Sequence, residues 1–288
     1  MRTGLRAKLA ESRSCSLWLE TQAGIRRRFK VVEQEFLMTE QTRFAIFGIQ
    51  RTGTTLLMGL LDQHPDVVCV GELFQYRTED VQHGIRRFRA YVHDSPRRRF
   101  LDLIRSGGII HGYLDTIYPM FDTGAAGFKI MLDQIRRYQP VLTYFVQNEF
   151  RIIHVVRHNI LRTHISRLRA RESGIYHSAR PIAGSKVQVP LSSLLHDLSQ
   201  LAADNARLAA LASEHGLSCH TTAYEQLYGE QWSSEQRRIL SFLGVDPEID
   251  LRPKSVKLTP DELESVIANY GEVVRMLTNT PYEVCLDR

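Results

Sequence analysis

The sequence predicts an α/β fold: a single domain with a central parallel sheet flanked by helices. Three observations carry the prediction. Apolar, strand-length runs alternate with helix-length amphipathic segments, the pattern of right-handed βαβ units. Several strand candidates, residues 151–156 among them, are nearly apolar throughout, as in strands covered on both faces. The first strand passes through a short Gly/Thr loop straight into a helix, a turn that exposes backbone N–H groups to an anion. With 288 residues, 43% hydrophobic and 24% charged, the chain is long enough to bury the core such a sheet needs.

In order along the chain, residues 1–40 mix charged and apolar positions without a clean strand. They are expected to form an N-terminal extension with a peripheral helix near 25–36, Arg26, Arg27 and Arg28 lying on its solvated face. The domain is expected over residues 41–288. Residues 44–48 form its first strand, and a helix over 54–63 follows, with Leu56, Leu57, Leu60 and Leu61 as its buried stripe. His64-Pro65-Asp66 ends that helix, His64 belonging to the turn, and a short strand covers 67–70. Residues 76–125 read as a helical insertion over the ligand, with helices at 81–92 and 96–104 and a loop at Gly107-Gly108. A strand at 127–131, a helix at 140–147, the strand at 151–156 and a helix at 159–171 continue the alternation. After a Gly- and Pro-containing loop at 174–190, Leu191, Leu194, Leu195, Leu198 and Leu201 mark a long helix reaching Glu214. A last strand lies within 217–223 and a helix near 234–242. The final helix has Thr259 as N-cap, Pro260 at its first position and Glu262 closing a capping box.

Composition excludes several classes. Cys15, Cys69, Cys219 and Cys285 are scattered without a C-x-x-C pair, so neither a zinc site nor a dense disulfide framework is expected, and reduced thiols in a cytoplasmic protein fit best. No stretch approaches the roughly 18 apolar residues of a membrane span, so no stable membrane insertion is expected. A net charge of +5 suits an anionic ligand, but the basic residues lack the interleaved aromatic platform of a nucleic-acid binder.

Two constellations carry chemistry. Arg51-Thr52-Gly53-Thr54-Thr55 stands between the first strand and its helix, where helix N–H groups, three hydroxyls and a forked guanidinium converge on an oxyanion. The loop is P-loop-like: Gly48 through Thr55 follows G-x-x-x-x-G-K-[ST] except that Thr54 replaces the Lys. A nucleoside triphosphate with magnesium would lack its reaching Lys, so a different anionic cofactor is favoured and no metal is expected. The second constellation places Arg157 at the end of a buried strand and Ser166 within the following helix, at the strand ends where open parallel sheets bind ligands.

With both in view, the chain resembles sulfotransferases that use 3′-phosphoadenosine 5′-phosphosulfate (PAPS), within them the bacterial carbohydrate branch that includes the trehalose and nodulation-factor enzymes. Gly127-Phe128-Lys129-Ile130, Ala223-Tyr224-Glu225-Gln226-Leu227, Phe242-Leu243-Gly244-Val245 and Ile267-Ala268-Asn269-Tyr270 look like family landmarks in the expected order. The resemblance implies that Arg51, Thr52, Gly53, Thr54 and Thr55 hold the phosphosulfate, Arg157 and Ser166 the 3′-phosphate, and that Tyr224 lies near adenine. It further implies transfer to a hydroxyl of a carbohydrate or glycolipid, with Glu72 as general base, Arg51 stabilising the leaving charge and Lys129 orienting the sulfuryl group. Arg51 replaces a Lys common in cytosolic members, which keeps the charge and changes its geometry. Those members use a histidine base, which makes His111 or His83 the rival to Glu72. Lys254 and Lys257 would close on the nucleotide or form a solvated charge run. Two other readings stay open: a kinase or hydrolase with a degenerate P-loop, and a catalytically silent nucleotide- or glycan-binding protein.

Overall fold

The computed structural model describes residues 41–76, 82–173, 186–252 and 262–286. Expectations for residues 1–40, for Lys254 and Lys257, and for the Thr259-Pro260 cap fall outside these residues. In chain order the elements are β1 (Thr42–Gly48), α1 (Thr54–Leu61), β2 (Val67–Glu72), α2 (Phe88–His93), α3 (Pro96–Ile117), β3 (Ala125–Met131), α4 (Leu132–Arg137), α5 (Pro140–Gln147), β4 (Arg151–Val156), α6 (Ile160–Ser173), α7 (Leu191–Glu214), β5 (Ser218–Ala223), α8 (Glu230–Leu243), α9 (Leu263–Val266) and α10 (Tyr270–Leu277).

The sheet is entirely parallel, in the order β2-β3-β1-β4-β5. Period-2 alternation sends successive side chains into two separate cores. On one face Phe44, Ile46, Cys69, Ile153 and Val155 pack under α1 and α8, whose Leu57, Leu60, Leu61, Ile239 and Leu243 are buried. On the other, Ala45, Phe47, Phe128, Ile130 and Ile152 pack under α3, α5, α6 and α7. This is the α/β class expected from the alternation of runs.

Neighbouring β1 and β4 send their helices to opposite faces, α1 to the first and α6 to the second. That divergence is a topological switch point, where the strand ends leave an open crevice. The Arg51 loop follows β1 and Arg157 follows β4, so both constellations open onto it.

Several element readings are corrected, among them the helix expected at 81–92, of which α2 keeps only Phe88–His93. The Gly107-Gly108 loop does not exist: α3 runs unbroken from Pro96 to Ile117. Burial of Ile110, Tyr113, Leu114 and Ile117 outweighs the roughly 1 kcal/mol per residue by which glycine weakens a helix. A Cβ at Gly107 would sit 3.5 Å from Pro140, so a small residue also suits the crossing of α3 over α5. The second strand extends to Glu72, past Val70, through a register irregularity between those two residues. The short α4 was not expected at all. Helix α1 stops at Leu61, and His64 is structural: its Nδ1 accepts from the Asp66 N–H at 3.1 Å, leaving Nε2 to donate to the Asp246 carbonyl at 3.0 Å.

Candidate active site

The loop after β1 is shaped by two left-handed positions, Arg51 at φ 74° and Gly53 at φ 97°. Gly53 is the N-cap of α1, and its carbonyl accepts the Leu57 N–H at 3.0 Å. A methyl group there would lie 2.4 Å from Cδ2 of Tyr224, so glycine is needed both for the backbone and for the ring that covers it. Thr52 is buried and turns both its hydroxyl, at 2.9 Å, and its N–H, at 3.4 Å, onto the Ile49 carbonyl, which makes it a loop brace. Thr54 packs its methyl against Gly48, where a Cβ would approach within 2.4 Å. It therefore seals the loop to β1.

Arg51 reaches across the switch point, its Nε donating to Ser166 Oγ of α6 at 2.9 Å. The two constellations read separately from the sequence thus meet in one contact. Arg157 is buried with its Cζ 4.4 Å from the centre of the Tyr224 ring, a cation–π contact, and one Nη1 donation to the Arg51 carbonyl at 3.5 Å. Its Nε is buried without a hydrogen-bond partner. Burial lowers the pKa of Arg51, Arg157 and Arg167, partly offset at Arg157 by Tyr224 and Glu225. Arg167 of α6 donates to the Gln50 carbonyl at 3.3 Å, bringing a third partly desolvated guanidinium to the same loop. Cations held away from water in this way are stabilised by an anion between them.

Across the loop, Lys129 of β3 joins two of the predicted residues. Its Nζ donates to Thr55 Oγ1 at 2.8 Å and pairs with Glu72 Oε1 at 3.1 Å, the two side chains being 6% and 14% exposed. The other Glu72 oxygen accepts from Nε2 of Gln134 on α4 at 2.5 Å. Gln134 is 5% exposed and fixed in turn by the Met131 N–H, which donates to its Oε1 at 3.3 Å. This settles which end of the amide faces the carboxylate.

All of Arg51, Thr52, Gly53, Thr54, Thr55, Glu72, Lys129, Arg157, Ser166 and Tyr224 therefore lie at adjoining strand ends or on the elements that follow them, although the Thr52 hydroxyl is taken by the Ile49 carbonyl and Thr54 packs its methyl at Gly48. The rival histidines look elsewhere. His111 Nε2 donates to the Pro140 carbonyl at 3.2 Å, and its ring meets Tyr144; His83 faces Asp62 at 3.7 Å and Phe121. Sequence reasoning missed Gln134, Arg167 and the role of Glu225, whose carboxylate accepts from the His158 and Asn159 N–H groups at 3.3 and 3.4 Å. Glu225 thereby steadies the start of α6, and with it Ser166. Gln134 carried one legible signal, an amide at the third position of a helix, but no Ser or Thr precedes it to announce a cap.

Among the described residues no group of His, Cys, Asp and Glu is arranged to hold a metal ion, and no helix is long and apolar enough to cross a membrane. No curated protein matches the chain by sequence. Among solved structures, it is similar to a sulfotransferase from Alicyclobacillus acidocaldarius, with 16% identity, a TM-score of 0.44, and coverage of 86% of this chain and 97% of that one. It is also similar to the sulfotransferase domain from the curacin biosynthetic pathway, with 16% identity, a TM-score of 0.42, and coverage of 86% and 90%. Residues 44–248, which hold both constellations and the Glu72–Lys129 pair, match the model of the sulfotransferase family, and the chain belongs to that family.

Proposed function

We propose that the protein transfers a sulfuryl group from PAPS to a hydroxyl of a carbohydrate or glycolipid, by in-line displacement with Glu72 as general base. The observation that carries this reading is the Arg51–Ser166 contact at the switch point, beside a buried Arg157 whose Nε has no partner. A nucleotide with two anionic groups fits that arrangement: the helix N-terminus after Gly53 offers backbone N–H groups to one of them, and the unsatisfied Nε calls for an acceptor. PAPS, when bound, supplies the sulfuryl group and leaves as 3′,5′-ADP.

The chain's own residues divide the remaining work. Thr55 and the α1 N-terminus hold the phosphosulfate end, Arg157 and Ser166 the 3′-phosphate, and Tyr224 the adenosine side. Arg51 stabilises charge on the bridging oxygen as the bond to sulfur breaks, and Lys129 orients the sulfuryl oxygens. Glu72 takes the proton of the attacking hydroxyl, with Gln134 keeping its carboxylate in place. The segment 76–125 lies on the acceptor side, within a domain spanning 41–288 of a cytoplasmic protein. A degenerate P-loop kinase is disfavoured because Thr54, standing in place of the Lys, is turned into the loop against Gly48.

Incubating purified protein with labelled PAPS and a panel of glycans and alcohols, and following 3′,5′-ADP release, tests the proposal; failure to bind PAPS at micromolar concentration would sink it. Glu72→Gln is expected to leave 3′,5′-ADP affinity unchanged and to lower kcat by about 100-fold or more. Normal turnover in that variant would remove Glu72 from the base role.

A further inference from the structure

A cavity of about 260 Å³ lies where α2, α3 and α4 meet, lined by Phe88, Arg89, His93, Asp102, Arg137 and Tyr138. Its floor is aromatic and continuous with the end of β2. Phe88 and Tyr138 lie 5.2 Å apart by ring centroids, and Phe74, which follows Glu72 closely in the chain, lies 5.3 and 5.4 Å from them. Both walls are tied to Glu72. On one side Gln134 donates to its carboxylate, and Arg137 and Tyr138 are the next residues on the same face of α4, about 5–6 Å away between Cβ atoms. On the other, Arg87 donates to the Glu72 carbonyl at 2.7 Å and to Gln75 Oε1 at 2.8 Å, which fixes the start of α2 beside the strand end.

Two guanidiniums converge at the mouth. Arg89 Cζ is 3.6 Å and Arg137 Cζ 4.8 Å from the centre of the Tyr76 ring, which is 58% exposed. Among the described residues no carboxylate lies within ion-pair distance of either. Like charges drawn to one ring repel each other until an anion enters between them. Asp102 also lines the cavity, its pKa raised by burial against a weaker opposing pull from His93.

We propose that this cavity is a specificity site for acceptors that carry an anionic group, a carboxylate or a phosphate, about one helical turn from the hydroxyl presented to Glu72. The inference rests on the sulfuryl-transfer reading for the position of that hydroxyl. The aromatic floor takes the apolar face of a sugar ring, and the two Arg forks take the anion.

Methyl glucoside, methyl glucuronoside and glucose 6-phosphate, titrated into the full chain by calorimetry with and without 3′,5′-ADP, decide the matter. An anionic member should bind at least about tenfold more tightly than the neutral one, as one charge-assisted bidentate contact implies. The Arg89→Gln/Arg137→Gln double variant should lose that preference, and the ratio of kcat/KM for anionic over neutral acceptors should fall with it. The carboxylate and phosphate arms show which anion is taken. Equal binding of neutral and anionic members, binding of neither anion, or a preference kept by the double variant would each overturn the inference. Should the double variant fold poorly, judged by loss of 3′,5′-ADP binding, the single Arg89→Lys and Arg137→Lys variants, which keep charge and lose the fork, must show a reduced preference. Failure of wild-type protein to bind 3′,5′-ADP is a separate result: it overturns the donor reading, while the nucleotide-free titrations still judge this one.

Discussion

At Gly53 a single hydrogen decides whether the loop can close. Alanine there would meet both a left-handed backbone and the Tyr224 ring, so Gly53→Ala should destabilise the protein by about 1–3 kcal/mol and weaken 3′,5′-ADP binding by more than about tenfold. Calorimetry and thermal unfolding would check both, and wild-type affinity would show that this loop is not the anion cradle. Gln134 permits a cleaner separation of roles. Gln134→Glu retains the acceptor for the Met131 N–H and loses the donor to Glu72, so the cap survives and the carboxylate contact does not. The expected result is a fall in kcat of about tenfold or more with KM for PAPS nearly unchanged. An unaltered kcat would reduce Gln134 to a helix cap.

At the scale of elements, β4 holds a buried histidine that the sheet was not built to charge. His154 is 2% exposed on the face shared with Ile152, neither ring nitrogen has a hydrogen-bond partner, and burial pushes its pKa down to about 4. Between about pH 6.5 and 4 the unfolded chain therefore binds the proton that the folded chain refuses, and stability falls as pH falls through that window. The loss amounts to roughly 3 kcal/mol when complete. Urea unfolding at a series of pH values should show this slope, and His154→Leu should flatten it. Elements were legible in the sequence where one physical signal dominated. The Ile- and Val-rich 151–156 and the leucine stripe of α7 left no competing reading, and the Pro140 start of α5 is a positional rule. Gly107-Gly108 was misread because local propensity says nothing of the buried Ile110, Tyr113 and Leu114 that hold α3 together. Of the site, single residues were legible and their pairings were not: Arg51 with Ser166, and Lys129 with Glu72, join residues far apart in the chain.

At the scale of the molecule, the strand order β2-β3-β1-β4-β5 would, on the proposed reading, distribute the two ends of the reaction over different strands. The proposed donor end rests on β1 and β4, the proposed acceptor end on β2 and α4, and β3 lies between β2 and β1. Lys129 occupies that middle strand and holds Thr55 with one hydrogen and Glu72 with another. A single ammonium shared by two sites couples their occupancies, and any such coupling is reciprocal by thermodynamic necessity. Whatever factor the nucleotide imposes on acceptor affinity, the acceptor must impose on nucleotide affinity. Measured as 3′,5′-ADP affinity with and without saturating acceptor, and the converse, the two factors should agree, and Lys129→Met should bring both toward one. Persistence of the coupling in that variant would place it in some other part of the sheet. On the proposed reading, each substrate would then adjust the pocket of the other through one side chain that touches both.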